Sequence, residues 1–239
     1  MKFSLCIPMY NESSIIAETA KTLSAFMDEH FDEYEILFFD DGSTDGSADI
    51  VKALSLPFVR VIGYSENRGK GSAVREAMLA AEGDVVMFTD SDLAYGENVI
   101  LEVAKRMTAE NAPDMLVGSR NLSVDGYEGY TTVRRLASKA YIKLLSSVGG
   151  LHLSDSQCGC KAFSGKAARA IFSRAEVNGF AFDFETILIA EKLGFTIGEF
   201  PVKVINHRAS KVHLIADAFR MLKEVISIKK RVAKIRLDD

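Results

Sequence analysis

Two carboxylates, Asp90 and Asp92, stand one residue apart at the end of an apolar run in the stretch FTDSDLAYG. In an extended segment, residues i and i+2 point to the same side, so both carboxylates can meet one cation. Hard oxygen ligands suit Mg²⁺ or Mn²⁺, and Mg²⁺ is often bound by one or two carboxylates together with substrate phosphates. The spacing is compatible with a metal site for a diphosphate, but by itself it is a weak signal, because two acids near a strand end are frequent without a metal.

Further polar residues follow neighbouring apolar segments. Asp40 and Asp41 precede a glycine and have the acceptor oxygens that a nucleobase and a ribose require. Arg68 and Lys70 stand at a glycine-flanked helix start, where they can meet phosphate oxygens. Taken alone, each segment also has an interpretation without a ligand: the Asp-Gly segment can be a plain turn, and Arg68 and Lys70 can lie at a solvated helix start. Together the segments offer partners for a base, a sugar and a phosphate, without the spacing of a P-loop.

Alternating patterns of strand and helix position these segments. Strands are predicted at KFSLCI, YEILFF, FVRVIGY and DVVMFT. Helices are predicted from Asn11, as N-cap, to about residue 27, over residues 47–55 and over residues 69–81. This order implies a mostly parallel sheet with helices on both faces, whose ligands bind beyond the carboxyl ends of the strands. The polar segments all follow strands, at that edge.

Composition limits the classes of protein. The chain has 239 residues, 48 % of them hydrophobic, which is enough for one large α/β domain or two small ones. Its net charge of −4 argues against a protein that coats nucleic acid. No stretch approaches the apolar length of a membrane span, so we expect any membrane contact to be peripheral. Cys6, Cys158 and Cys160 suit neither a disulfide nor a CxxC metal site, and we expect reduced thiols and a cytoplasmic protein.

Four segments, IPMYNE, FFDDGSTDGS, NRGKGSAVREAM and DSDLA, resemble in this order the family 2 inverting glycosyltransferases, which have the nucleotide-diphospho-sugar fold called GT-A. The later segments VGSRN, RRLASKA, DSQCGCKAFS and FAFDFETILIA resemble the branch that transfers a sugar to a polyprenyl phosphate. That branch contains the dolichyl-phosphate glucosyltransferases and the dolichol-phosphate mannose synthases, and DSQCGCKAF is more similar to the former. The resemblance implies an α/β fold with a mostly parallel sheet sandwiched by helices, and a catalytic domain over residues 1–206.

The resemblance also implies a role for each matched residue. The donor nucleotide would be bound by Pro8, Tyr10, Glu12, Asp40, Asp41, Arg68, Lys70 and Asp90. Asp90 and Asp92 would hold Mg²⁺ or Mn²⁺ on the diphosphate. The acceptor phosphate would be bound by Arg120, Arg134 and Ser138, with Arg135 and Lys139 as further candidates. The catalytic set would be Asp92, Asp155, Gln157, Lys161 and Asp183.

The implied activity is metal-dependent transfer of a hexose, preferably glucose, from a UDP-sugar to undecaprenyl or dolichyl phosphate. The second pKa of such a monophosphate is about 6, so much of it is already a nucleophilic dianion near neutral pH. Some relatives use an acid near Asp183 or Glu185 as a base, and the alternative is an acid pair that complements a helix dipole.

Other activities stay open at this point. They are GDP-mannose-dependent transfer to the same acceptor, nucleotidyl transfer, and transfer to a saccharide or protein hydroxyl, which would make Asp183 essential. A non-catalytic nucleotide-sugar-binding module is the alternative from another class.

The C-terminal residues 207–239 have a different pattern. Apolar residues recur there at spacings of four and three, namely Leu214, Ala218, Met221, Val225, Ile228, Val232 and Ile235. Residues 220–236 contain seven Lys or Arg and one Glu. This pattern predicts a basic amphipathic helix that lies on an anionic membrane or packs on protein, for example in a homodimer. A polyprenyl acceptor favours the membrane, and hence a location on its cytoplasmic face.

Overall fold

The computed structural model describes residues 1–128, 135, 139, 142, 150, 152–206 and 224–235. The strands in these residues are β1 (Phe3–Met9), β2 (Tyr34–Asp41), β3 (Val59–Tyr64), β4 (Val85–Thr89), β5 (Met115–Ser119), β6 (Cys160–Ser164) and β7 (Ile197–Pro201). The helices are α1 (Ile16–His30), α2 (Ser47–Ala53), α3 (Lys70–Ala80), α4 (Asn98–Met107), α5 (Gly165–Phe172) and α6 (Phe182–Lys192). Residues 224–232 form another helix, called here the C-terminal helix.

The strands form one sheet in the order β3-β2-β1-β4-β6-β5-β7. All neighbouring strands are parallel except β6, which runs antiparallel to both β4 and β5. The expected mostly parallel sheet is therefore confirmed. The antiparallel β6 pairs Cys160 with Thr89, and this register brings the segment DSQCGC beside the segment DSD.

Helices cover both faces of the sheet, which explains why β1 and β4 are buried along their whole length. On one face α1 and α4 bury apolar residues such as Leu23 and Val103. On the other face α3, α5, α6 and the C-terminal helix share a core that contains Met78, Ile171 and Phe184. The strand ends that carry the polar loops lie at one edge between these layers.

The first helix begins later than the sequence predicts. Its first residue is Ile16, and Asn11 does not cap it. Asn11 instead adopts a φ of 52°, in the left-handed region that asparagine tolerates. Its Oδ1 accepts a hydrogen bond from the backbone N–H of Thr44 at 2.9 Å, and its own N–H donates to Ser43 Oγ at 2.9 Å. Asn11 thus joins the loops that follow β1 and β2.

The C-terminal helix packs on the domain. Val225, Ile228 and Val232 are at most 5 % exposed and belong to the core that contains α3. Within residues 224–235 the apolar stripe is therefore covered by protein and is not available to a membrane. Packing, one of the two alternatives, is what the structure shows for these residues, whereas Leu214, Ala218 and Met221 lie outside the described part. Each helix in the described residues is too short or too polar to cross a membrane.

Candidate active site

The loops after β1 and β2 are hydrogen-bonded to one another. Ser47 Oγ accepts from the backbone N–H of Glu12 at 2.9 Å, and Asp45 Oδ2 accepts from that of Ser13 at 2.9 Å. Burial acts to raise the pKa of Asp45, but the hydrogen bonds from Ser47 and Ser13 outweigh it and hold that pKa well below its usual range. These bonds fix the first two loops of the site relative to each other.

The candidate donor residues at the ends of β1 and β2 lie side by side. Pro8 is buried in β1, in register with Phe39, so Tyr10 and Glu12 follow at the same edge as Asp40. Tyr10 is 42 % exposed, which leaves its ring accessible to a planar ligand. The carboxylate of Asp40 accepts a hydrogen bond from the backbone N–H of Ser43 at 3.1 Å and stays partly exposed.

Asp41 is buried and organises the loop at residues 65–69 between β3 and α3, called here the donor loop. Its Oδ1 accepts from the backbone N–H of Arg68 at 2.9 Å, and its Oδ2 accepts from Asn67 Nδ2 at 2.8 Å. The backbone N–H of Gly69 also donates to Oδ2 at 3.0 Å. Most of the acceptor capacity of Asp41 is therefore used within the protein. The Arg68 guanidinium lies 4.3 Å from the ring centroid of Tyr64.

The first residue of α3 reaches the acid pair. Lys70 Nζ lies 2.5 Å from Asp90 Oδ1, and both side chains are about 30 % exposed. Burial acts to lower the pKa of Lys70, but Asp90, with Asp183 and Asp92, raises it above its ordinary value. Asp92 Oδ1 accepts from the backbone N–H of Ala94 at 3.1 Å. The DSD segment thus presents two carboxylates beside a charged ammonium.

The acid pair offers two carboxylates to a divalent cation, and phosphate oxygens of a substrate can serve as further ligands. Within the described residues, no three His, Cys, Asp or Glu side chains are grouped to hold a metal. Asp90 already neutralises the Lys70 ammonium, so its carboxylate is placed to face positive charge. Two hard carboxylates fit Mg²⁺ or Mn²⁺ when phosphate oxygens and water complete the coordination.

Gly159 lets the antiparallel strand approach the acid pair. A Cβ on this residue would lie 2.3 Å from Asp90 Oδ2, closer than any real contact. Sequence reasoning missed Gly159, although its position between Cys158 and Cys160, both buried, was a usable signal. Neither of these two cysteines nor Cys6 forms a disulfide bond.

Lys161 and Asp183 form a buried ion pair behind the acid pair. Lys161 is fully buried, Asp183 is 6 % exposed, and Lys161 Nζ contacts Asp183 Oδ1 and donates to Cys158 O at 2.7 Å. Burial raises the pKa of Asp183, although Lys161 and Lys70 act to lower it. Asp183 lies in the first turn of α6. Its carboxylate is therefore covered and paired, and it ties α6 to β6.

Arg120, which follows β5, is held by Asp155 in a bidentate pair. Arg120 Nε lies 2.7 Å from Asp155 Oδ2 and Nη2 lies 2.9 Å from Oδ1, while the Asp155 side chain is fully buried. Arg120 Cζ and Lys139 Nζ each lie 5.5 Å from the centroid of the Tyr127 ring. The structure thus brings two of the acceptor candidates together. Arg135 is exposed and helical, whereas Arg134 and Ser138 lie outside the described residues.

Two buried polar groups lie beside Asp155. Among the described residues, Ser156 Oγ and Gln157 Nε2 have no hydrogen-bond partner. Buried polar groups are rarely left unsatisfied, and a substrate hydroxyl is one way to satisfy them. The backbone N–H of Gln157 donates to Asp155 Oδ1 at 3.3 Å. Gln157, one of the candidates for the catalytic set, thus has a buried donor group available for a substrate.

The chain is similar to proteins of known activity. It is 31 % identical over 234 residues to a dolichyl-phosphate beta-glucosyltransferase of Trichomonas vaginalis, covering 93 % of this chain and 69 % of that protein. It is 29 % identical over 245 residues to the dolichyl-phosphate beta-glucosyltransferase of Saccharomyces cerevisiae, covering 95 % and 73 %.

Solved structures support the fold. Glucosyl-3-phosphoglycerate synthase from Mycobacterium tuberculosis, in complex with Mn²⁺, UDP-glucose and phosphoglyceric acid, aligns with a TM-score of 0.71 at 20 % identity and covers 98 % of this chain and 81 % of that one. Mannosyl-3-phosphoglycerate synthase from Rubrobacter xylanophilus aligns with a TM-score of 0.69 at 19 % identity, covering 97 % and 73 %. The family model described as Glycosyl transferase family 2 matches residues 4–172. The chain therefore belongs to glycosyl transferase family 2 and is a glycosyltransferase with the GT-A fold.

Proposed function

We propose that this glycosyltransferase moves glucose from UDP-glucose to a polyprenyl phosphate, with Mg²⁺ or Mn²⁺ held at Asp90 and Asp92. The names of the relatives from Trichomonas vaginalis and Saccharomyces cerevisiae support the sugar and the acceptor. The structural neighbour that was crystallised with Mn²⁺ and UDP-glucose supports the metal and the donor.

The ion pair between Lys161 and Asp183 is the observation that carries the choice of acceptor. A hydroxyl acceptor needs a base to remove its proton, and Asp183 in the segment FAFDFETILIA is the candidate that the sequence resemblance offers for this task. Its carboxylate is buried against Lys161, which favours a structural role. A monophosphate with a second pKa of about 6 needs no such base near neutral pH. The site is therefore better suited to a phosphate than to a hydroxyl.

On the donor side, Asp40 and Tyr10 lie where they would meet the ribose and the base. Asp41 would act by holding the donor loop, because its oxygens are used by Asn67, Arg68 and Gly69. When the donor binds, the Lys70 ammonium would contact the diphosphate as well as Asp90. It would thereby keep a positive charge beside the leaving group. A bound divalent cation would add electrostatic stabilisation of that group.

On the acceptor side, Arg120 would bind the attacking phosphate. Asp155 uses Nε and one Nη2 donor of Arg120, so the other guanidinium donors remain in a fixed orientation. Gln157 Nε2 and Ser156 Oγ, which are buried, would bind hydroxyls of the sugar. Holding the two phosphate centres on separate cations positions them for in-line displacement with inversion.

The protein would work at the cytoplasmic face of a membrane, where a polyprenyl phosphate is anchored. The C-terminal helix buries its apolar stripe, but Lys229 on it and Lys234, two residues beyond its end, are exposed. We therefore propose peripheral contact through positive charge rather than through inserted apolar residues. Such contact should weaken at high salt, because the Debye length is about 8 Å at physiological ionic strength and shortens as salt is added.

A donor and acceptor panel tests the proposal. The purified chain would be incubated with UDP-glucose, UDP-galactose or GDP-mannose, and with a polyprenyl phosphate or a saccharide, in the presence of Mn²⁺ or Mg²⁺. We expect release of UDP to be fastest with UDP-glucose and to depend on the polyprenyl phosphate. Preference for GDP-mannose would overturn the donor, and dependence on a saccharide hydroxyl would overturn the acceptor.

A further inference from the structure

The C-terminal helix contacts the catalytic domain through one charged side chain as well as through its apolar stripe. Arg231 Nη2 contacts Glu185 Oε1, and Arg231 Nη1 lies 3.4 Å from Glu176 Oε2. The side chain of Glu185 is fully buried, whereas that of Arg231 is 32 % exposed. Arg231 therefore neutralises a carboxylate that water does not reach.

Glu185 fixes residues 173–181 between α5 and α6, called here the support loop. Its Oε1 accepts from the backbone N–H of Glu176 at 3.0 Å, and its Oε2 accepts from that of Val177 at 2.8 Å. These bonds need a correctly oriented carboxylate, and Arg231 is the cation that faces it. The C-terminal helix thus contacts the carboxylate to which the support loop is hydrogen-bonded.

The support loop in turn holds the start of α3. Asn178 O accepts from the backbone N–H of Gly71 at 2.7 Å and from that of Ser72 at 3.3 Å. A Cβ on Gly69 would lie 2.5 Å from Asn178 O, and one on Gly71 would lie 2.4 Å from Val177 O. The two segments are therefore in close backbone contact, at the point where the donor loop becomes α3.

We propose that Arg231 is a positioning residue for the donor, acting through Glu185 and the support loop on residues 66–72. Lys70 lies between Gly69 and Gly71, and its ammonium reaches Asp90 only if this turn is held in place. Without Arg231 the buried Glu185 carboxylate is left without its facing cation, so it reorients and releases the support loop. The proposal rests on the proposed function only in that Lys70 serves a nucleotide diphosphate.

The test compares Arg231→Gln, Arg231→Lys and the matched control Lys230→Gln, which removes one exposed charge from the same helix. Hydrogen–deuterium exchange of the ligand-free full-length chain would be followed in residues 66–72 and 174–181. Donor KM, acceptor KM and kcat would be measured in parallel, well below the melting temperature.

We expect Arg231→Gln to speed exchange in both segments and to raise donor KM about tenfold, within the usual range of coupling between sites. Acceptor KM should stay unchanged, and Arg231→Lys, which keeps the charge and should fold, should give an intermediate effect. The hydrogen–deuterium exchange measurement needs no substrate, so it still tests the role of Arg231 if the chain uses another donor or acceptor. If exchange and donor KM in the Arg231 variants match those of Lys230→Gln, even with a lower melting temperature, Arg231 is only structural and the proposal is overturned.

Discussion

Gly159 and Asp90 are in contact across the boundary between the antiparallel strand β6 and the end of β4. The carboxylate of Asp90 occupies the space that a side chain on residue 159 would need, with only 2.3 Å between Asp90 Oδ2 and an ideal Cβ. The same carboxylate faces Lys70 on its other oxygen. The position of Asp90 therefore depends on a residue far away in the sequence that takes no part in the chemistry.

This contact predicts the effect of a single methyl group. Gly159→Ala should push the Asp90 carboxylate out of place and lower kcat about 100-fold, the usual cost of misplacing a catalytic group by about 1 Å. Gly198→Ala in β7 is a suitable control, because its Cβ would meet only side-chain carbons of Pro113 and Leu116, at 3.0 Å or more. Steady-state kinetics and circular dichroism of both variants check the prediction. Wild-type turnover in folded Gly159→Ala would contradict it.

The acid pair should be needed for metal-dependent binding of the donor. Asp92→Asn should abolish transfer and weaken UDP binding in the presence of Mn²⁺, because a neutral amide cannot offset the charge of a cation as a carboxylate does. Calorimetric titration of UDP with and without Mn²⁺ measures this effect. If wild-type protein turns over at full rate in excess chelator, the metal site is wrong.

Arg120 should serve the acceptor and not the donor. Arg120→Lys cannot keep both hydrogen bonds to Asp155, so we expect acceptor KM to rise about tenfold or more, in line with the loss of a charge-assisted bidentate pair. UDP affinity should stay nearly unchanged, because the Arg120 guanidinium would contact the attacking phosphate and not the donor. A fall in UDP affinity as large as the fall in turnover would place Arg120 in the donor site.

The sequence predicts the parallel half of the fold well because its signals are local. The apolar runs of β1 to β4 and the periodicity of α2 and α3 need no knowledge of the rest of the chain. The insertion of β6 between β4 and β5 was not predicted, because its pairing depends on contacts between distant segments. Asn11 was assigned as a helix cap for a similar reason, since its real partners, Ser43 and Thr44, follow another strand.

The candidate site shows the same division between local and distant information. Short motifs identified Asp90, Asp92 and Asp155, but not what surrounds them. The apolar stripe of the C-terminal helix has the same pattern whether a membrane or a protein core covers it, so Val225 and Ile228 could not be assigned from sequence. In the sequence, Arg231 cannot be distinguished from the other basic residues of 220–236, because its partner Glu185 lies 46 residues away.

A buried acid at the other end of the sheet should make stability depend on pH. Burial acts to raise the pKa of Glu35, but hydrogen bonds from Ser4 and from the backbone of Glu82, with Arg60, bring it below its ordinary value. The donor–acceptor distance is 2.6 Å for Ser4 Oγ, 2.8 Å for the backbone nitrogen of Glu82 and 2.8 Å for Arg60 Nη2. The stabilisation is therefore fully present above the unfolded pKa of about 4.3 and is lost as pH falls through the lower folded pKa.

We expect Glu35→Gln to lower the free energy of unfolding by about 1–3 kcal/mol at pH 7, as for a buried hydrogen-bonding group that loses its charge. The difference from wild type should shrink below about pH 4, where the wild-type carboxyl also becomes protonated. Urea unfolding at several pH values tests this, with exposed Glu29→Gln as the control. A difference that stays constant from pH 7 to pH 3 would show that the Glu35 charge is not involved.

In the proposed reaction, a phosphate oxygen of a polyprenyl monophosphate attacks the sugar directly. The most direct test of this reaction is nuclear magnetic resonance of the product formed by purified protein from UDP-glucose, with polyprenyl phosphate as the sole acceptor. We expect a phosphodiester that joins glucose C1 to the lipid phosphate, in the β configuration that inversion of the α-linked donor gives. Free glucose as the only product, or an α-linked glucosyl phosphate, would contradict it.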